Sequence, residues 1–161
     1  MSSANQTKQE STNLLQLVSF KIANEEFGVD ILNVQEINKM VQITKVPNSP
    51  EFVEGVINLR GRVIPVVNLR VKMSMPNKEY DKDTRIIVVD LPGKTVGFLV
   101  DSVSEVLRIP QNIIEPPPSI VAGINSNYIT AVGKLEDRLL ILLDLDKVLL
   151  DEEKTVLETV N

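Results

Sequence analysis

Apolar and polar residues alternate with a period of two from residue 14 onward, a pattern typical of β-strands. Val18, Phe20 and Ile22 are separated by single polar residues, which predicts a strand with one buried face. Polar residues 24–26 then turn the chain, and residues 27–32 are predicted to form the returning strand. The first structured element is therefore predicted to be an antiparallel hairpin.

Two further hairpins are predicted by apolar segments on either side of short turns. One turn is Arg60-Gly61, where the glycine suits a backbone with positive φ, and the other is Pro92-Gly93-Lys94. A short extended stretch is also predicted at residues 41–46. The hairpin strands are predicted at residues 56–59, 63–69, 85–91 and 95–100.

The two halves of the chain repeat each other. A shift of 69 residues places Gly28 on Gly97, and after an added segment near residues 117–127 a shift of 76 places Arg62 on Arg138. Further matched pairs are Val34 with Val103, Glu36 with Glu105, Ile37 with Val106, Pro47 with Pro116 and Asn68 with Asp144. The repeat predicts a mainly β protein built as two small five-stranded barrels or barrel-like sheets.

Each half alone is close to the lower size limit for independent stability, so the two lobes are expected to share a hydrophobic core. The predicted boundaries are residues 14–80 for the first lobe and 81–150 for the second. Residues 1–13 are polar and are predicted to be a disordered tail. Residues 146–160 place apolar side chains on one helical face, which predicts a C-terminal helix.

Composition excludes several kinds of chemistry. The 161 residues include no His and no Cys, so His-based catalysis, thiolate metal sites and disulfides are excluded. The net charge of −5 argues against a nucleic-acid partner. With neither a signal peptide nor a transmembrane segment evident, a cytoplasmic location is expected. No cofactor and no metal site is predicted.

Few residues suggest a reactive site. Gly93-Lys94-Thr95 lacks the earlier glycine of a phosphate-binding loop, and the paired carboxylates lack the other features of a hydrolase or calcium site. Glu36 is a charge within an apolar stretch, and Arg60 is a candidate partner for it. The apolar residues Val34, Ile37, Val103 and Val106 either belong to the core or line a groove for an amphipathic helix.

Several strings in the chain resemble the CheW family of bacterial chemotaxis coupling proteins. The resemblance covers residues 14–150, and the string GVINLRG at residues 55–61 is its most specific part. The other strings are FGVDI at 27–31, VQEI at 34–37, GFLVDSV at 97–103 and LLILLD at 139–144.

The resemblance implies a fold and a function. The fold would be two SH3-like five-stranded β-barrel lobes around a common hydrophobic core. The function would be that of a non-enzymatic adaptor joining the histidine kinase CheA, through its regulatory domain, to the cytoplasmic hairpin tips of chemoreceptors in membrane-associated arrays. A coupling adaptor of a non-motility chemosensory array is the alternative left open.

The resemblance also suggests two sets of contact residues. The receptor hairpin is expected in the groove between the lobes. The receptor-binding candidates are Val34, Glu36, Ile37, Leu59, Arg60, Gly61, Val103 and Val106. The kinase-binding candidates are Met40, Val41, Ile43 and Val46.

Overall fold

The computed structural model describes residues 14–118 and 127–160, so the predicted tail at residues 1–13 lies outside the described residues. The described chain forms two β-sheets, which confirms the mainly β prediction. A six-stranded sheet has the order β8-β1-β2-β11-β10-β9, and a five-stranded sheet has the order β3-β6-β7-β5-β4. The strands of the six-stranded sheet are β1 (Leu14–Ile22), β2 (Glu25–Asp30), β8 (Ser102–Pro110), β9 (Ile114–Glu115), β10 (Ile129–Lys134) and β11 (Leu139–Leu143). Those of the five-stranded sheet are β3 (Val34–Lys39), β4 (Val53–Leu59), β5 (Arg62–Asn68), β6 (Arg85–Leu91) and β7 (Lys94–Val100).

The three predicted hairpins are confirmed. β1 pairs antiparallel with β2, β4 with β5, and β6 with β7. The turns are Ala23-Asn24, Arg60-Gly61 and Pro92-Gly93, and the apolar faces of the strands are buried. Local sequence pattern therefore determines these pairings.

The lobe boundary predicted at residue 80 does not separate the strands of one sheet from those of the other. Each sheet contains strands from both halves of the chain, because β2 pairs in parallel with β11 and β5 pairs in parallel with β7. Edge strands are exchanged too: β3 pairs with β6, and β8 pairs with β1. The internal repeat matches β1, β2, β3, β4 and β5 with β6, β7, β8, β10 and β11, respectively. When each strand is replaced by its match, the order of the five-stranded sheet becomes that of the six-stranded sheet without β9. The lobes are thus related by an internal pseudo-two-fold symmetry, and neither corresponds to half of the sequence.

The core has three parts that follow this symmetry. A large shared core between the lobes includes the fully buried Phe20, Phe98 and Leu69. The five-stranded lobe has its own cluster around Ile64, and the six-stranded lobe has one around Leu140, its repeat equivalent. The shared hydrophobic core expected from the size of each half is therefore present, although the sheets are curled and not closed as barrels.

The described residues also contain three short α-helices. α1 (Leu69–Lys72) and α2 (Leu145–Val148) occupy equivalent places after β5 and β11, and Asn68 and Asp144 cap their N-termini with side-chain oxygens. α3 (Asp151–Val160) follows α2. The predicted helix 146–160 is therefore divided in two, with a break at residues 149–150. Within residues 14–118 and 127–160, no helix has the length and apolar character needed to cross a membrane.

Candidate functional site

The hairpin between β4 and β5 presents Arg60 at its tip. Arg60 and Gly61 both have positive φ, at 51° and 85°, as the tightest two-residue hairpin turn requires. The Asn58 side chain accepts a hydrogen bond from the Gly61 N–H at 2.9 Å. This turn leaves the Arg60 side chain 75% exposed.

The Arg60 guanidinium forms an ion pair with Glu36 on β3, which confirms the predicted pairing. β3 is an edge strand, and a flat sheet would separate it from β5 by roughly 14 Å. The contact shows that the five-stranded sheet curls strongly. Hydrogen bonds from Arg60 and from the Asn38 amide lower the pKa of the Glu36 carboxyl below its usual value. A glutamate and an arginine are thus fixed together at the end of this lobe.

The other lobe carries a related arrangement. Glu105 on the edge strand β8 lies 3.8 Å from Arg138, which ends the turn between β10 and β11. Arg138 also donates to the buried Glu26 at 2.6 Å. Burial tends to raise the pKa of Glu26, but the hydrogen bonds from Ser19 and Arg138 outweigh it and lower the pKa. Each lobe thus has an edge-strand glutamate beside a hairpin arginine, although the repeat places Arg138 on Arg62 and not on Arg60.

The remaining receptor-binding candidates do not form one continuous surface. Ile37 is 39% exposed and neighbours Glu36 on β3, so the two side chains point to opposite faces of the strand. Val34 and Val103 pack against the shared core, and Leu59 packs against the core of the five-stranded lobe. Val106 is 50% exposed on β8, in the other lobe. Among the candidates, the structure brings Glu36 together with the Arg60-Gly61 turn.

The kinase-binding candidates lie in the segment between β3 and β4. Met40 and Ile43 are partly buried against the core of the five-stranded lobe, and Val41 is exposed. Val46 is half-buried. The predicted strand at residues 41–46 is reduced to one bridge, in which Thr44 exchanges two backbone hydrogen bonds with Val56.

A cleft lies between the two lobes, and none of its lining residues is among the candidates predicted from the sequence. This interlobe cleft has a volume of about 210 Å³. Its apolar walls come from β2, β6 and β11, and three carboxylates stand around it. The lining residues are Val29, Asn33, Val89, Asp90, Leu91, Pro92, Leu143, Asp144, Leu145 and Asp146. Next to it, Leu32 is 88% exposed in a 3-10 turn (Ile31–Asn33).

A sequence signal for the cleft exists in the repeat. Leu32 is equivalent to Asp101, so an apolar residue replaces a carboxylate where the other half has a polar contact. The three carboxylates could not be grouped from sequence, because they come from β6 and from the residues after β11.

Fold and cleft together define a two-lobed β scaffold with exposed surfaces suited to other proteins. The family model described as the CheW-like domain matches residues 16–153, which include parts of every strand in both sheets. The chain therefore belongs to the CheW-like family, whose members are chemotaxis scaffold proteins and not enzymes.

Individual relatives agree with this assignment. The chain is 41% identical over 141 residues to the chemotaxis protein CheW of Klebsiella aerogenes, covering 88% of this chain and 85% of the relative. It is 39% identical over 148 residues to CheW of Thermotoga maritima, covering 90% and 93%. The crystal structure of the scaffolding protein TtCheW from Thermoanaerobacter tengcongensis matches with a TM-score of 0.78 and 41% identity, covering 84% of this chain and 92% of that one.

Proposed function

We propose that this chain is an adaptor that couples chemoreceptors to a CheA-type histidine kinase in bacterial chemotaxis. The observation that carries the proposal is the CheW-like match over residues 16–153, supported by relatives named as chemotaxis and scaffolding proteins. The adaptor works by contacts that differ between the signalling states of its partners, and it performs no chemistry itself.

The receptor side of the adaptor is proposed to include the interlobe cleft and the Glu36–Arg60 pair. A helical hairpin tip needs an apolar groove for its buried face. Pro92, which lines the cleft, and Leu32, which is 88% exposed beside it, are the apolar side chains available for that purpose. The Arg60 guanidinium is exposed at the hairpin tip and is available to a carboxylate of the partner.

The kinase side is proposed to be the segment from Met40 to Val46, beside the edge strand β4. An exposed edge strand can pair with a strand of a similar domain, and the Thr44–Val56 bridge uses only part of the β4 edge. With both partners bound, the adaptor is recruited to a receptor array at the cytoplasmic membrane.

The coupling role is tested by calorimetric titration of the purified chain with the regulatory domain of a CheA-type kinase from the same organism. Saturable one-to-one binding is the expected result. An absence of binding at high micromolar concentration would contradict the proposed function, while the β fold would still stand.

The receptor contact is tested with Arg60→Glu, which places two carboxylates side by side at the hairpin tip. We expect weaker binding of a soluble receptor hairpin fragment, measured by calorimetry, with an unchanged circular dichroism spectrum. Lys82→Glu is the control, because it makes the same charge change on an exposed loop between β5 and β6. Equal affinities of the two variants would remove Arg60 from the receptor site.

A further inference from the structure

The chain passes from one sheet to the other at two places. Within residues 14–118 and 127–160, these crossings are the 3-10 turn (Ile31–Asn33), between β2 and β3, and Asp101, between β7 and β8. Among the described strands, none of one sheet pairs with a strand of the other. Apart from the shared core, the relative position of the lobes therefore depends on the contacts around these two crossings.

The crossing at Asp101 is fixed by polar contacts. Arg70 of α1 donates two hydrogen bonds to the Asp101 carboxylate, at 2.8 and 2.5 Å, and both side chains are only 14% exposed. The same carboxylate accepts a hydrogen bond at 2.8 Å from the Ala23 N–H of the six-stranded lobe. Burial raises the pKa of Asp101, but the hydrogen bonds from Arg70 and Ala23 outweigh it and lower the pKa. A charged pair therefore ties the lobes together at this crossing.

The other crossing, at residues 31–33, lies beside the interlobe cleft. Asn33 lines the cleft, and the neighbouring Leu32 is 88% exposed. The Leu32 N–H donates a hydrogen bond at 3.0 Å to the Asp30 carboxylate, which is a contact within the turn itself. On this side of the molecule, α3 supplies polar contacts that link the two lobes.

One residue of α3 contacts both sides of the cleft. The Lys154 ammonium lies 2.9 Å from Asp146, which lines the cleft and belongs to α2, after the last strand of the six-stranded sheet. The Lys154 carbonyl accepts a hydrogen bond at 2.6 Å from the ammonium of Lys94, the first residue of β7 in the five-stranded sheet. Pro92, two residues before Lys94, lines the opposite side of the cleft. Lys154 therefore connects the two walls.

Further contacts hold α3 against the five-stranded lobe. Lys72 of α1 pairs with Glu153 at 2.6 Å, and the two side chains are 14% and 19% exposed. Leu157 is fully buried in the shared core. Because α3 follows α2 of the six-stranded lobe, it reaches from that lobe to the other one.

The helix α3 is separate from the hydrogen bonding of both sheets. Every described strand precedes it in the chain, and it takes part in no described strand pairing. Its ten residues are too few for a helix that is stable alone in water. We therefore expect α3 to unfold when it leaves the lobes, so that its contacts are lost together while the sheets remain paired.

We propose that α3 is a releasable clasp that sets the width of the interlobe cleft. In the docked state, Lys154 joins the two walls. In the released state, the lobes move apart on the side of the cleft by turning about the fixed crossing at Asp101. The inference goes beyond the adaptor role, because it concerns contacts within this chain. Any molecule that fits the cleft at only one width would shift α3 between the two states.

The first test is amide hydrogen exchange of the full chain, followed by NMR. We expect the amides of α3 to exchange together and faster than those of β1 and β7, because α3 opens without unfolding of the sheets. Exchange of α3 at the rate of β1 and β7 would overturn the inference, since α3 would then leave only when the whole chain unfolds.

The second test measures the distance between the lobes by pulsed electron paramagnetic resonance. Because the sequence contains no Cys, the substitutions Pro92→Cys and Asp137→Cys place one spin label on each lobe. Both positions are exposed. In this labelled chain, Lys94→Met and Lys154→Met together remove the two ammonium groups of the clasp. We expect faster exchange of α3 and a shift of the label distance to longer and more widely distributed values.

The matched control carries Lys82→Met and Lys147→Met, which remove two exposed ammonium groups, one from each lobe, that are not part of the clasp. It should keep the exchange rates and the label distance of the wild type. An unchanged label distance in the clasp variant, with or without faster exchange of α3, would overturn the inference, and so would an equal shift in the control. Neither test involves a partner, so either result leaves the test of the coupling role unaffected.

Discussion

Arg60 combines an uncommon backbone conformation with an exposed charge. A non-glycine residue with a φ of 51° costs some free energy, which the tight turn and the Asn58 hydrogen bond offset. Because the guanidinium is 75% exposed, its ion pair with Glu36 adds little to stability, at most about 1 kcal/mol. The positive φ is the conformation that the two-residue turn requires, and the exposed guanidinium belongs to the proposed receptor contact.

Glycine is required at position 55 because β4 and the segment around Thr44 approach each other closely there. Its φ is +150°, and an added Cβ would lie 2.3 Å from the Thr44 carbonyl oxygen. We expect Gly55→Ala to lower the free energy of unfolding by about 3 kcal/mol, measured by urea denaturation. Gly93→Ala is the control, because Gly93 also has positive φ but has nothing within 4 Å of the added Cβ. Equal losses in the two variants would contradict the role of the contact with Thr44.

Asp101 should contribute to acid sensitivity. Its pKa is lower in the folded chain than the ordinary value of about 4 expected on unfolding. The stability that it contributes is therefore present above pH 4 and is lost as the pH falls through the folded pKa. We expect Asp101→Asn to reduce the free energy of unfolding at pH 7 by about 2 kcal/mol and to flatten its decline below pH 4. A decline parallel to that of the wild type in urea titrations would refute this assignment.

Among the elements, the hairpins could be predicted from sequence and their assembly into sheets could not. The turns predicted at residues 24–26, 60–61 and 92–94 rest on local signals, so β1–β2, β4–β5 and β6–β7 could be predicted directly, with the first turn displaced to residues 23–24. The parallel pairs β2–β11 and β5–β7 join segments far apart in sequence and leave no local pattern. For the same reason the Glu36–Arg60 pair could be proposed from two unusual charges, whereas the residues that line the interlobe cleft could not be grouped before the sheet orders were known.

Leu157 anchors the helix α3 to the shared core. Leu157 is fully buried in the shared core, and Lys72 of α1 contacts Glu153 at 2.6 Å. We expect Leu157→Ala to reduce the free energy of unfolding by about 3 kcal/mol, measured by urea denaturation. Leu150→Ala should change it by only about 0.5 kcal/mol, because Leu150 is 55% exposed. A small effect of the Leu157 variant would mean that α3 is dispensable for the core.

At the scale of the whole molecule, the exchange of strands makes the two halves mutually dependent. The first half contains β1–β5, but β2 needs β11 and β5 needs β7 to complete the sheets. The division of the sequence into repeats is therefore correct as a statement about similarity. It does not describe units that fold independently.

Fragments 1–80 and 81–161 should therefore be unfolded separately and fold when mixed. Each fragment lacks the partner strands that cover its edges and its share of the common core. We expect narrow amide dispersion in the proton NMR spectrum of each fragment and native-like dispersion in the equimolar mixture. A well-dispersed spectrum from either fragment alone would show that the exchanged pairings are unnecessary for folding.

The strand exchange also has a consequence for synthesis of the protein. A ribosome adds about 5–20 residues per second, so the nascent first half must wait several seconds for β6–β11 to emerge. During that interval β2 and β5 have no parallel partners, and apolar side chains such as Phe20 have no shared core to enter. Cotranslational protection by a chaperone that binds extended apolar segments would therefore matter more for this chain than for a protein whose lobes fold one after the other.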